Sequence, residues 1–302
     1  MQNYFIAIDI GGTNLRFALI DNNQNIIKKS HVFTSNITNG SIFLDTLKRE
    51  VKELNNNYNA KKISIVIPAP YNEVSKKIVD ITNIPCIENL SYTEIRNALC
   101  EYDVCFQNDV NVVALLECKL GAGKGCNNLV YITFSTGIGS GIILKGEIHN
   151  GTNGYAGEVG SFVIDSTREN FLDGTFENLC SGTALTNIAK KNFGKDKTCK
   201  YIFSMYEKKE DKSQKIIKEW LRNVSTGIAN IVQLLDPDII VLGGPIITCN
   251  QWLVEEICAH TRKKLLGKLS TKLKIKINQF GSDAGLIGAS YYAQINFSRR
   301  LN

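Results

Sequence analysis

The chain has 302 residues, 43% of them hydrophobic and 21% charged, with a formal net charge of +6. That length predicts about two domains with full cores and no need of disulfide staples. The lysines are interleaved with acids, as in "KREVKEL" and "EKKEDKSQK", which argues against a nucleic-acid face. No apolar run approaches the ~18 residues of a membrane span, and the start "MQNYFIAIDIGG" lacks the basic region of a signal peptide. Nine cysteines, Cys86, Cys100, Cys105, Cys118, Cys126, Cys180, Cys199, Cys249 and Cys258, include no Cys-x-x-Cys. They predict buried, reduced thiols in a cytoplasmic protein.

In chain order, the first ~20 residues predict two strands joined by a tight turn, because β-branched and aromatic residues flank "GGTN". A third strand is expected at Ile26 to Phe33. In "SIFLDTLKREVKELNNNY", Phe43, Leu47, Val51 and Leu54 recur at helical spacing. "KKISIVIPAP" reads as a buried strand stopped by prolines, and "SYTEIRNALCEY" as a helix with a capping box. "DVCFQ" is a short strand, and "NDVNVVALLECKLG" is a helix with Asp109 near its start. Residues 129–148 repeat the opening pattern of strand, small-residue turn and strand, which suggests duplicated domains. A polar helix pair, the long helix "KIIKEWLRNVSTGIANIVQLL", the strand "IIVLGG" and the helix "DAGLIGASYYAQINF" complete the chain. Strands alternating with helices predict an α/β fold.

The usual phosphate signatures fail. "GAGKGC" has Lys124 followed by Gly125 and Cys118 where a P-loop needs its first glycine; "GIGSG" leads into a strand, not the helix of a dinucleotide turn. A glycine hairpin turn can still present backbone N–H groups to an anion, because no Cβ obstructs them. Thr13 and Thr136 add hydroxyl donors at two such turns, and Asp9 is placed to reach Mg²⁺ directly or through water. The plain alternative is two ordinary hairpins. A third pair, Gly243 and Gly244, would let a flat ring lie on the backbone; its alternative is a strand-to-helix turn with Pro245 at the helix start.

From Asp9 to Gly288 the chain resembles the ROK sugar kinases of the actin–hexokinase superfamily. The resemblance lies in "DIGGTN", "QNDVN", "STGIGSG", "GYAGEVG", "FENLCSGTAL", "DPDIIVLGGPI" and "DAGLIGAS", in that order. It implies two actin-like (ribonuclease H-like) α/β domains with mixed sheets flanked by helices, and ATP and sugar in the interdomain cleft. The domains would be residues 1–108 with 288–302, and residues 109–287. It implies transfer of the ATP γ-phosphoryl to a sugar hydroxyl, usually on C6, with Asp109 as general base. For Asp109 alone, the simpler role is helix N-cap, and both can hold. Gly11, Gly12, Thr13, Asn14, Thr136, Gly137, Gly243 and Gly244 would bind ATP, and Asp9 the magnesium. Asn83, Asn108, Asp109, Glu158, Ser161 and Glu177 would meet the sugar, the carboxylates as charge-assisted acceptors. For Glu177 the alternative is a surface charge before a helix capped by Ser181. The family also implies a homodimer.

Two departures bear on substrate. Where most of the family carries a zinc His and three Cys, this chain has Ser161, Arg168, Asn170 and Thr175, so no zinc site is expected. "IPAPYNEVSKKIVDITNIP" lacks the family's Pro-Gly turn and looks slightly closer to D-allose kinases than to glucokinases. Zinc-free relatives acting on N-acetylmannosamine, and fructokinases, are further alternatives. A sugar-sensing repressor of the same family would need a DNA-binding domain before Asp9, where eight residues leave no room. A non-catalytic sugar binder is the remaining class, and Asp9, Thr13, Asp109 and Thr136 argue against it.

Overall fold

A computed structural model describes residues 3–72, 74, 76–81 and 84–299. The chain divides into two compact units. One holds the chain up to Leu116, Glu147–Ala156 and the chain from Phe280 onward; the other holds Glu117–Gly146 and Gly157–Gln279.

The first unit opens with the antiparallel strands β1 (Tyr4–Ile10), β2 (Asn14–Asp21) and β3 (Ile26–Phe33). β4 (Lys62–Ile67) pairs parallel to β1, and β5 (Asp103–Asn108) parallel to β4, giving the order β3-β2-β1-β4-β5. Helices α1 (Gly40–Leu54), α2 (Tyr92–Ala98) and α3 (Asp109–Lys119) connect them, and Ser91 with Glu94 forms the expected capping box on α2. Central β1 is covered on both faces, so its alternation is between two kinds of apolar residue. Ile6, Ile8 and Ile10 join Phe43, Leu47, Val51 and Leu54 of α1 in one core. Small Ala7 and Ala18 turn to the other face, where Leu286 and Ala289 of the C-terminal helix (Ala284–Arg299) pack. That helix comes close because of its glycines. A Cβ on Gly288 would stand 2.8 Å from the Val112 carbonyl oxygen. Gly288→Ala is therefore expected to cost about 1–3 kcal/mol of stability, read as a lower urea midpoint at unchanged slope.

The second unit repeats this plan. β6 (Leu129–Phe134) and β7 (Ile138–Leu144) form the hairpin, continued by the short β8 (Glu147–Ile148). β9 (Ile239–Gly243) lies parallel to β6, and β10 (Ile275–Ile277) parallel to β9. The order β8-β7-β6-β9-β10 matches the first sheet strand for strand. The helices are α4 (Phe176–Cys180), α5 (Gly182–Phe193), α6 (Cys199–Glu207), α7 (Asp211–Leu235), α8 (Pro245–Cys249), α9 (Leu253–Arg262) and α10 (Leu269–Lys272). Phe134 of β6 meets Phe176 and Trp220 edge-on, each with ring centroids 5.9 Å apart, and Trp220 donates its indole N–H to the Cys180 carbonyl. This cluster seats α4 and α7 on the sheet.

Two expectations need correction. All nine cysteines are free, yet only Cys105, Cys118 and Cys180 are buried; Cys86, Cys126, Cys199 and Cys258 are half-buried, and Cys100, in the turn after α2, and Cys249, ending α8, are exposed. The sequence reading also left out α4, α9, α10 and β10; α4, α10 and β10 are too short to show a period, whereas α9 carries one, burying Leu253, Ile257 and Thr261. No helix among the described residues is long and apolar enough to cross a membrane.

Candidate active site

In both sheets the singled-out residues lie at the carboxyl ends of parallel strands, where open α/β sheets bind ligands. Asp9 pairs in register with Val66 of β4, and Ile67 of β4 with Asn108 of β5. In the second sheet Thr133 pairs with Gly243, so the turn after β6 and the glycines after β9 leave the same edge.

The first turn, Gly11 to Asn14, is tied down through its carbonyls. Gly11 N–H donates to the Asn14 carbonyl at 3.0 Å. The buried Thr34 donates its hydroxyl to the Gly11 carbonyl at 2.7 Å and its N–H to the Thr13 carbonyl at 2.9 Å. The N–H groups of Gly12 and Thr13 have no acceptor among the described residues, and both residues are exposed. Two successive donors are thus left facing solvent, the arrangement that attracts an anion.

Asp9 is the next-to-last residue of β1 and is buried. Its register partner on β2 is Arg16, whose guanidinium pairs with the Asp9 carboxylate and also donates to the Ser282 carbonyl at 2.7 Å. Burial holds the Asp9 carboxyl above its ordinary range, a shift that Arg16 offsets only in part. Gly285 packs against the pair, its missing Cβ leaving 2.7 Å to Asp9 Oδ2. One carboxylate can serve Mg²⁺, which keeps most of its waters and phosphate oxygens; the metal would share Asp9 with Arg16.

Asp109 begins α3, but Asn108 caps it. Asn108 Oδ1 accepts the Val110 and Asn111 N–H groups, each at 3.0 Å, and its amide donates to the Ala69 carbonyl at 3.2 Å. Asp109 sits one residue later, inside the first turn, with Oδ1 accepting the Val110 N–H at 2.9 Å. The cap role expected as the alternative for Asp109 therefore belongs to its neighbour, whose backbone still precedes the helix. A buried relay supports this corner: Gln107 accepts the Asn108 N–H, and Asn111 donates to Asn150 at 3.1 Å. Asn83 lies outside the described residues.

In the second turn the same pattern recurs. The Ser135 carbonyl takes the Gly182 N–H at 2.8 Å, and the Thr136 carbonyl takes both the N–H and the hydroxyl of Thr183, at 3.1 and 2.9 Å. The Gly137 carbonyl takes the Ser135 N–H at 2.9 Å. The N–H groups of Thr136 and Gly137 have no acceptor among the described residues.

Glu158 and Ser161 bracket a single helical turn, and both are exposed. Glu177 is half-buried on α4, and its Oε2 accepts the Ile138 N–H at 2.7 Å. It is neither a plain surface charge nor a group facing only solvent. The segment at the family's zinc position is closed by hydrogen bonds. Arg168 pairs with Asp165 at 2.9 Å, Asn170 accepts the Leu172 N–H, and Thr175 caps α4 while donating to the Leu172 carbonyl at 2.8 Å. Among the described residues no cluster of three His, Cys, Asp or Glu could hold a metal.

Gly243 and Gly244 end β9 and lead into α8. The space beside Gly243 is taken by the Tyr131 side chain, and that beside Gly244 by the Phe134 backbone. They are glycine so that the turn can lie flat on β6; Gly244 also has φ +85°, and Pro245 starts α8 as in the alternative reading. Sequence reasoning missed Arg16 and Thr34. The signal for Arg16 was its position, as far from the turn on β2 as Asp9 is on β1, which makes the two a cross-strand pair.

The two like-built units, each opening on a hairpin with a glycine turn, form a duplicated actin-like fold. The ROK family model matches residues 5–295, and the chain belongs to the ROK family. A glucokinase of Halalkalibacterium halodurans is 26% identical, covering 96% of this chain and 94% of its own length. An N-acetylmannosamine kinase of Haemophilus influenzae is 25% identical, covering 96% and 95%. The solved ROK hexokinase of Thermus thermophilus matches with a TM-score of 0.84 at 25% identity, over 99% of this chain and 100% of that one. The protein is a sugar kinase.

Proposed function

We propose that this kinase moves the γ-phosphoryl group of ATP to the C6 hydroxyl of a hexose, with D-allose or glucose first and N-acetylmannosamine or fructose as alternatives. The observation that carries the reading is the matched pair of turns. In each, the carbonyls are spent within the protein while two successive N–H groups remain: Gly12 and Thr13, Thr136 and Gly137. Such donors are fixed before substrate arrives, so holding a phosphate chain costs little reorganisation.

Asp109 would accept the proton of the attacking hydroxyl, Asn108 holding the helix start that carries it. Glu158, Ser161, Glu177, Asn83 and Asn108 would order the remaining hydroxyls, and Gly243 with Gly244 would receive the adenosine. Mg²⁺, through Asp9, would neutralise phosphate charge. Reaction of this kind depends mainly on alignment and charge balance, so the protein needs only one proton acceptor.

The test is ADP release from Mg-ATP with a panel of aldohexoses, ketohexoses and N-acetylhexosamines. Turnover on one or a few members is expected, D-allose and glucose first. Failure on every member overturns the reading.

A further inference from the structure

Glu177 touches the second glycine turn as well as the loop at Gly160 and Ser161. Three observations place its carboxylate under the second phosphate turn. Oε2 accepts the Ile138 N–H at 2.7 Å, the residue directly after the turn. A Cβ on Gly137 would stand 2.5 Å from the same oxygen, so the turn lies flat on the carboxylate. Gly160, beside Ser161, is likewise close, its Cβ position 3.4 Å from Oε2. The support behind Glu177 is rigid. Phe176 donates its N–H to the Phe162 carbonyl at 2.7 Å, and its ring is wedged against Phe134 and against α7 at Gly227, where a Cβ would approach to 2.8 Å.

We infer that Glu177 is a positioning residue for the donor nucleotide: by holding the Ile138 N–H it fixes Thr136 and Gly137 with their two N–H groups presented to phosphate. This rests on the kinase reading above. The turn is otherwise held by its own Ser135 N–H to Gly137 carbonyl bond and, on its far side, through the carbonyls of Ser135 and Thr136 to the start of α5. Glu177 supplies the second anchor. Charge and geometry make opposite forecasts here. A carboxylate beside an anion site repels phosphate, so a neutral side chain would tighten nucleotide binding if charge decided. If the anchor decides, a neutral side chain with no acceptor loosens the turn and weakens binding.

The experiment is titration of a non-hydrolysable ATP analogue with Mg²⁺ into sugar-free protein, by calorimetry. Glu177→Leu, of similar size but with no acceptor for the Ile138 N–H, is expected to weaken binding about tenfold, the usual worth of a hydrogen bond to a charged group. In turnover, KM for Mg-ATP should rise together with KM for the sugar, whereas a residue that touches only sugar raises the second alone. Glu177→Asp keeps the charge at the start of α4 but falls one methylene short of Ile138, so it should fold and show the same nucleotide defect. Unchanged or tighter nucleotide binding in the folded variants overturns the inference. Wild-type protein that neither binds the analogue nor turns over any sugar would instead sink the kinase assignment of the turns.

Discussion

Asp109→Asn is expected to lower kcat by about 10²–10⁴-fold, the range for removal of a general base, while KM for the sugar changes little. The substitution is nearly isosteric. The new side-chain oxygen can still accept the Val110 N–H, and the cap on α3 belongs to Asn108. What is lost is the capacity to take a proton and one negative charge in the first helical turn, a position where an acid stabilises a helix by about 0.3–1 kcal/mol. The melting temperature should therefore move by a few degrees at most. A kcat within tenfold of wild type would remove Asp109 from the proton-accepting role. Loss of folding would say that it holds the corner of the sheet instead. Asn108→Ala supplies the contrast, because removal of the cap should cost about 1 kcal/mol of stability. Its effect on kcat would come through the position of Asp109.

The placing of these two residues shows what the sequence could carry. A polar pair before a Val- and Leu-rich helix announces a capped start, and "QNDVN" located it. Which member of the pair caps depends on backbone angles at one residue, and Asn108 and Asp109 suit the position about equally. The glycine turns were legible because "GGTN" and "STGIG" interrupt strong strand patterns. Their function was not, since it depends on where the carbonyls go. Thr34 and Thr183 settle that from 21 and 47 residues away along the chain, by bonds to Thr13 and Thr136.

Strands also differed in legibility for a physical reason. β1 and β2 are long, central and buried, so every residue reports on the core. β10 has three residues on a sheet edge and none fully buried, so it leaves no pattern. At Gly243 and Gly244 the missing Cβ atoms accommodate Tyr131 and the backbone of Phe134. Sequence shows that a backbone approach is close; it does not show what approaches.

Glu117→Ala should be the most destabilising single change, about 2–6 kcal/mol by denaturant unfolding. Glu117 is fully buried near the end of α3. Its Oε2 accepts the Ala122 N–H and its Oε1 the Gln279 N–H, both at 2.9 Å. Alanine strips the acceptor from both donors at once: the buried Ala122 N–H left without one costs about 1–3 kcal/mol, the partly exposed Gln279 N–H less, and the emptied side-chain space adds a cavity cost. Packing explains why no smaller side chain can substitute: a Cβ on Gly121 would fall on the Glu117 carboxylate, so the loop is wrapped on that group. Glu117→Gln keeps one oxygen acceptor and turns an NH₂ toward the other donor, so it should lie between wild type and alanine. The order wild type, Gln, Ala is the signature of two backbone bonds made by one carboxylate. Equal losses for Gln and Ala would mean that the negative charge matters and the bond count does not. A loss under about 1 kcal/mol for Ala would mean that the loop after α3 refolds around other acceptors.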